Sequence, residues 1–166
     1  MKVREIMSSH VRQISSSAML SEAADRMRIF DTSVLPVVEH NQVVGTITDR
    51  DIIVRAVSAG MDPRTTPVKY AMTPGAACCS EQDDAGKAAA IMKDSHVDRL
   101  VVLSPDNGAV GMLSIGDFAV AGAGHLMYET IDRICGSVHS DRQRPRRSPR
   151  GDTRRMRKAG THKRQP

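Results

Sequence analysis

Two short segments of the chain place a hydroxyl and a carboxylate at the same spacing. Residues 45–51 read Gly-Thr-Ile-Thr-Asp-Arg-Asp and residues 111–117 read Gly-Met-Leu-Ser-Ile-Gly-Asp, so both follow the pattern Gly-x-x-(Thr/Ser)-x-x-Asp. An apolar run precedes the first motif and a helix-like apolar run follows it, which predicts a corner between a strand and a helix. We expect Gly45 to close the strand, Thr48 to lie at the turn and Asp51 to lie in the first helical turn.

Such a corner has two possible roles. The backbone N–H groups at a helix N-terminus favour anions, and a glycine allows a backbone or a ligand to approach closely. The aspartate can accept hydrogen bonds from two vicinal hydroxyls, such as those of a ribose. However, Ser/Thr-x-x-Asp before an apolar run is also the spacing of a capping box, which needs no ligand. Duplication would copy a cap as readily as a ligand site, so both interpretations stay open.

The motifs belong to an internal duplication. A shift of 65 residues aligns the two halves, and one residue inserted near 105–108 changes the shift to 66 and superposes the two motifs. Each half has the pattern of strand, helix, strand, strand, helix. Because a unit of about 55 residues buries little surface alone, we expect two units to pack sheet against sheet and share one core. Met27 and Met92 take equivalent core-facing helical positions.

The predicted boundaries follow from this pattern. Strands are expected at 11–14, 33–38, 43–47, 77–80, 99–103 and 110–113. Helices are expected at 21–30 with Ser21 as N-cap, 49–59, 84–95, 115–121 and 126–134, the last ending at Gly136. The predicted domains are repeat 1 (1–64), repeat 2 (65–123), a C-terminal helix (124–136) and a basic tail (137–166).

The charge is unevenly divided along the 166 residues. Residues 137–166 hold eleven Lys/Arg and two Asp, a net charge of +9, whereas residues 1–136 carry −4. The basic segment has few apolar residues, which predicts disorder. It could contact nucleic-acid phosphates, dock on an acidic protein surface, or remain solvated with no specific partner.

Other function classes have little support in the sequence. No apolar run approaches the ~20 residues of a membrane-spanning helix and no signal-peptide pattern occurs, so we expect a cytoplasmic protein with no membrane contact. No phosphate-binding loop or His-Glu-x-x-His motif occurs, so we expect neither enzymatic activity nor a required cofactor or metal. Cys78, Cys79 and Cys135 lack zinc spacing and are expected to be buried thiols, with redox sensing as the alternative.

This organisation resembles a tandem pair of CBS domains, also called a Bateman module. The resemblance covers roughly residues 1–123. It rests on the order of elements and on four segments: Val-Arg-Glu-Ile-Met (3–7), Val-Lys-Tyr-Ala-Met-Thr (68–73), Leu-Pro-Val-Val (35–38) and residues 45–51. It implies an α/β fold in which two β-α-β-β-α repeats form one pseudo-twofold module. It also implies a homodimer, a flat disc of four repeats joined through helical faces.

The second repeat departs from the family pattern at three positions. Val101 replaces a proline, Ser114 replaces a threonine and Gly116 replaces a polar or charged residue. The first repeat is therefore the better match to the family's ligand-binding pattern.

The resemblance implies a sensor that binds an adenosine-containing ligand, such as AMP, ADP, ATP or S-adenosylmethionine, between the repeats. The aspartates would hold the ribose, Thr48 and Ser114 would contact ribose or phosphate, and Arg50 and Arg99 would approach phosphates. Ile47 and Leu113 would flank the base or belong to the core. The implied ligand-binding set is Gly45, Ile47, Thr48, Arg50, Asp51, Arg99, Gly111, Leu113, Ser114 and Asp117.

A sensor of this kind would pass its signal to a protein partner. Two alternatives stay open: a ligand-independent interaction or stress protein, and association with nucleic acid through residues 137–166.

Overall fold

Alternating β-branched and apolar residues form two sheets in the computed structural model, which describes residues 1–134. The first sheet has the order β1-β2-β3-β4 and the second has the order β5-β6-β7. The strands are β1 (Ile14–Ser15), β2 (Val34–Glu39), β3 (Gln42–Thr48), β4 (Thr73–Pro74), β5 (Cys78–Ser80), β6 (Arg99–Leu103) and β7 (Ala109–Ser114). In each sheet the first strand runs parallel to the second, and the second and third form an antiparallel hairpin.

Helices connect and follow these strands. They are α1 (Leu20–Phe30), α2 (Asp49–Asp51, continued by a π-helical segment Ile52–Val57), α3 (Ala85–Ser95), α4 (Ile115–Val120) and α5, which begins at residue 128 and is described as far as 134. Three 3₁₀ turns occur at Val3–Glu5, Val68–Tyr70 and Gly124–Met127. None of the helices within the described residues is long and apolar enough to span a membrane.

The duplicated order of elements and the α/β fold are confirmed, with differences at several ends. The first strand begins at Ile14, later than expected. Gly45 does not close β3: it pairs with β2 on one side and with β4 on the other, and the strand continues to Thr48. Ser21 is not an N-cap, because α1 begins at Leu20 and its first N–H groups bind the backbone carbonyls of the 63–66 loop. Gly136, Cys135 and the tail at 137–166 lie outside the described residues.

Each repeat has its own hydrophobic core, so the expectation of one shared core is wrong. One cluster contains Leu35 and Ile47, and the other contains Leu100 and Leu113. Strand alternation causes this separation, because the core-facing residues of each sheet point at the helices of their own repeat. The opposite faces carry polar and charged side chains as well as apolar ones, and these faces line the space between the repeats.

The segments that open the two repeats are exchanged between the cores. Val3, at the start of repeat 1, is buried in the core of repeat 2, whereas Val68, near the start of repeat 2, is buried in the core of repeat 1. The exchanged backbones also pair with the sheets, since β4 pairs with β3 and Ser8 bridges to Met112 of β7. This exchange ties the two repeats into one module.

Candidate functional site

Both sequence motifs form capping boxes at the start of a helix. The N–H of Thr48 donates to Asp51 Oδ2 at 3.0 Å, and the N–H of Asp51 donates to Thr48 Oγ1 at 3.0 Å. In repeat 2 the N–H and the hydroxyl of Ser114 both donate to Asp117 Oδ2 at 2.7 Å. Capping is therefore present in both repeats, and a ligand at either corner has to compete with it.

The two aspartates have different surroundings. Asp51 Oδ1 lies 3.2 Å from Arg55 Nη2, and Arg55 Nη1 donates to the carbonyls of residues 71–72, each at 2.9 Å. Asp51 is thus bonded to Thr48 in its own corner and, through Arg55, is connected to residues 71–72, here called the linker. The position equivalent to Arg55 in repeat 2 is Ala121. Asp117 consequently has no ion pair within the described residues and is only half-buried.

One cavity of about 300 Å³, here called the Thr48 cavity, lies between the repeats next to the first corner. Its polar and charged lining consists of Ser33, Thr46, Thr48, Asp49, Arg50, Asp98 and Arg99. Its apolar lining consists of Val34, Ala77, Val97, Val101 and Met112. Both repeats contribute to each set, so the cavity depends on the packing of one repeat against the other.

A second cavity of about 370 Å³, here called the Ser114 cavity, lies next to the other corner. Its polar and charged lining consists of Ser8, His10, Arg12, Thr32, Arg99, Ser114 and Asp117. Its apolar lining consists of Phe30, Val34 and Met112. The guanidinium of Arg12 stacks over the ring of Phe30, 4.2 Å from its centroid, which fixes a cation at this cavity.

Half of the residues expected from the resemblance line a cavity. Thr48, Arg50 and Arg99 line the first, and Arg99, Ser114 and Asp117 line the second. Asp51, Gly45, Ile47, Gly111 and Leu113 line neither. Ile47 and Leu113 are fully buried in the two cores, in agreement with the interpretation of both as core residues.

The two motif glycines make room for backbone. A Cβ on Gly45 would lie 2.3 Å from the carbonyl oxygen of Thr73, and a Cβ on Gly111 would lie 2.7 Å from the carbonyl oxygen of Ser8. These oxygens belong to the exchanged segments. The close approach that a glycine allows is therefore made here by the protein's own chain.

Sequence reasoning missed several cavity residues. Met112 and Thr46 precede Leu113 and Ile47, and alternation along a strand turns such neighbours to opposite faces. This alternation can be read from the sequence, although it does not show which face of the strand borders a cavity. Arg12 had no comparable signal, because it lies outside any motif and reaches the Ser114 cavity through the packing of repeat 1 against repeat 2.

The cysteines within the described residues do not resemble reactive thiols. Cys79 is 4% exposed, and burial, with a smaller effect from the Asp83 carboxylate, raises its pKa to about 12. Burial also raises the pKa of Cys78, which is half-buried. A protonated thiol is a poor nucleophile and a poor metal ligand, so the interpretation of Cys79 as a buried thiol is confirmed. Within residues 1–134, no group of three or more His, Cys, Asp or Glu side chains could hold a metal ion.

Comparison with known proteins identifies the repeats. The model of the CBS domain family matches residues 3–58 and 68–124. The CBS domain-containing protein YhcV of Bacillus subtilis is 30% identical over 118 residues, which cover 71% of this chain and 83% of YhcV. Hypoxic response protein 1 of Mycobacterium tuberculosis is 26% identical over 136 residues, which cover 81% of this chain and 94% of that protein.

Solved structures share the fold. Hypoxic Response Protein I with two coordinated zinc ions superposes with a TM-score of 0.65 at 26% identity, over 72% of this chain and 98% of the other. CBSX2 of Arabidopsis thaliana in complex with AMP superposes with a TM-score of 0.63 at 20% identity, over 73% and 95% of the two chains. With two matched repeats, two exchanged segments and two cavities between them, this chain belongs to the CBS-domain family as a tandem pair.

Proposed function

We propose that this CBS pair is a regulatory sensor, without enzymatic activity of its own, that binds an adenosine-containing ligand between its repeats. The observation that carries the proposal is the composition of the two cavities. Each combines a Thr or Ser hydroxyl, arginine side chains and apolar surface in one space of about 300–370 Å³. Small-molecule sites likewise combine apolar surface with placed polar groups.

The lining suits the three parts of a nucleotide. Val34 and Met112 offer apolar surface to a base in either cavity. The carboxylate of Asp117 can accept hydrogen bonds from the ribose hydroxyls. Arg12 and Arg99 can donate charge-assisted hydrogen bonds to a phosphate, and such bonds are about twice as strong as neutral ones.

The AMP complex of CBSX2 supports this class of ligand. The shared fold places two repeats around a common interface in both proteins. At 20% identity the likeness establishes the fold alone, so the ligand of this chain has to be identified by experiment.

A signal can pass from the Thr48 corner to the linker. Arg55 binds both Asp51 and the carbonyls of residues 71–72, and Asp51 is itself bonded to Thr48, which lines the Thr48 cavity. A ligand that displaces Thr48 from its capping bonds therefore also disturbs the hold of Arg55 on the linker. Because β4 and the cavity residue Ala77 follow the linker, this change would alter how the repeats pack. The shift in packing can be no larger than the difference in ligand affinity between the two arrangements.

A thermal-shift experiment on the full chain tests the proposal. AMP, ADP, ATP, adenosine and S-adenosylmethionine would be compared with GMP in about 0.3 M salt, which screens non-specific attraction to the basic segment. A ligand at 100 times its dissociation constant should add about 2.7 kcal/mol, or roughly 5–10 °C for a domain of this size. Asp117→Asn should reduce the shift, whereas the exposed loop variant Asp106→Asn should retain it.

The absence of a shift with every adenosine ligand would contradict the proposal. The corners would then act as helix caps only, and the search would turn to protein partners. Nucleic-acid association through residues 137–166 stays a separate prediction, because that segment lies outside the described residues.

We also propose that two copies associate through the helical face. The π-helical segment after α2 exposes Ile53, Val54 and Val57, each by more than half of its surface, and α4 exposes Val120 almost completely. Exposed apolar patches on helices are typical of interaction sites. A second copy of this chain would cover them symmetrically, which is the commonest arrangement of homo-oligomers.

A further inference from the structure

One arginine lies where the two cavities meet. Arg99 lines both the Thr48 cavity and the Ser114 cavity. Its equivalent in repeat 1 is Val34, which also lines both. The strand registers explain this symmetry, because Val34 pairs with Thr48 and Arg99 pairs with Ser114. The duplication therefore places two residues at the shared boundary, and only one of them is a cation.

The net charge of each cavity depends on where the side chain of Arg99 lies. Without Arg99, the Thr48 cavity has two carboxylates, Asp49 and Asp98, and one cation, Arg50, which leaves a net charge of −1. Without Arg99, the charges of Arg12 and Asp117 cancel in the Ser114 cavity, which leaves a net charge of zero. A dianionic phosphate is therefore repelled from the Thr48 cavity whenever Arg99 turns toward the other cavity.

Arg99 is available to a ligand. Its side chain is exposed, and its Nη1 donates to the hydroxyl of Ser33 at 3.2 Å. Within the described residues no carboxylate forms an ion pair with Arg99 or Arg12. A phosphate can therefore recruit both guanidinium groups without breaking an ion pair in that part of the chain.

The ribose-binding carboxylates favour the same cavity. Asp117 lines the Ser114 cavity and is not held by an arginine in the described part of the chain. Asp51 lines neither cavity and is bound to Arg55. The Ser114 cavity therefore combines an accessible carboxylate with two cations, whereas the Thr48 cavity has no accessible equivalent of that carboxylate.

We propose that a phosphorylated adenosine ligand occupies the Ser114 cavity, and that the recruitment of Arg99 to this ligand prevents a second phosphorylated ligand from occupying the Thr48 cavity. Arg99 thus sets how many phosphorylated ligands bind to one chain and which of the two cavities accepts a charged ligand. The Thr48 cavity remains open to adenosine, which carries no phosphate. This inference rests on the proposed function and adds the cavity, the ligand charge and the coupling between the two cavities.

Titration calorimetry on the full chain in about 0.3 M salt tests the inference, with AMP, adenosine and GMP as probes. We expect one AMP per chain, and adenosine should still bind to the chain saturated with AMP. Arg12→Gln and Arg99→Gln each remove a charge-assisted hydrogen bond and should weaken AMP about 10- to 100-fold. Arg50→Gln should weaken AMP at least ten times less than Arg12→Gln does. Arg64→Gln, an exposed variant outside both cavities, should match the unmodified protein.

Four results would overturn the inference. Two AMP molecules per chain with similar affinity would show that the cavities do not compete for Arg99. A larger loss from Arg50→Gln than from Arg12→Gln would place AMP in the Thr48 cavity, although the proposed function would stand. No binding of AMP or adenosine, or equal binding of AMP and GMP, would remove both the inference and the proposed function. All four arginines are exposed, so their substitution should leave the fold intact.

Discussion

Substitution of Gly45 by alanine separates a structural role of the first motif from a ligand-binding role. The added Cβ would lie 2.3 Å from the carbonyl oxygen of Thr73 and 3.3 Å from the Cα of Pro74. A methyl carbon and a carbonyl oxygen need about 3.2 Å, so β4 has to retreat by about 1 Å in a close-packed interior. Backbone atoms cause the clash, and no change of side-chain rotamer can relieve it.

The loss of stability expected for Gly45→Ala follows from the short length of β4. This strand pairs with β3 only through Gly45 with Pro74 and Thr46 with Thr73, so a small retreat disturbs the whole pairing. Overpacking costs about 1–3 kcal/mol and a lost hydrogen bond about 1 kcal/mol, which gives about 2–4 kcal/mol in total. For the two repeats this corresponds to a fall in Tm of about 7–14 °C.

Thermal and urea unfolding of the ligand-free full chain would measure this loss. Gly86→Ala is the matched control, because its Cβ would lie 3.5 Å from Asp84 Oδ1, an ordinary contact, and because alanine favours helix α3 by up to about 1 kcal/mol. If Gly45→Ala keeps its ligand-free stability within about 0.5 kcal/mol but loses adenosine-ligand binding, the reasoning is wrong. The glycine would then admit the ligand and not β4.

Two further predictions concern stability and assembly. Lys87 Nζ and the N–H of Ser80 donate to Asp83 and hold the pKa of that carboxyl below its usual range. Its stabilising contribution is therefore complete above about pH 4 and is lost as the pH falls through the lower folded-state pKa. Asp83→Asn should cost about 1 kcal/mol at pH 7 and progressively less as the pH falls below about 4 in urea unfolding, and a pH-independent difference would contradict this. In sedimentation velocity, Ile53→Glu should convert the dimer to a monomer, because it places a charge in the proposed interface. Ile29→Glu, an exposed variant on α1, should leave the dimer intact. A monomeric unmodified protein would refute the proposed dimer.

The order of elements could be predicted because its signals are local. The hairpin turn at His40 and Asn41 illustrates this, since both residues have positive φ angles, 47° and 63°, in the type I′ geometry that asparagine favours. The capping boxes could be predicted for the same reason, because hydroxyl and carboxylate lie three residues apart. Local spacing also brought Thr48 and Ser114 to the edges of the cavities.

The resemblance implied a site between the repeats, but the full lining of the cavities could not be predicted, because it depends on packing between distant segments. Nothing in the local sequence of Val3 or Val68 indicates that each lies in the core of the other repeat. The packing of one repeat against the other brings Arg12 and Ser114 to the same cavity. Alternation separated Ile47 from Thr46 correctly, but only the packed repeats show that the face bearing Thr46 borders a cavity.

The duplication preserved the caps and changed the charges. Both corners keep their hydroxyl and carboxylate, which stabilise the fold whether or not a ligand binds. In contrast, the position equivalent to Arg99 in repeat 1 is Val34. The position equivalent to Arg55, which binds Asp51, is Ala121 in repeat 2. The family motif matches the first repeat better, yet the motif aspartate that lines a cavity, Asp117, belongs to the second. A motif match therefore indicates how a corner folds, whereas the charge beside that corner also depends on side chains that the other repeat contributes, such as Arg12 beside Ser114.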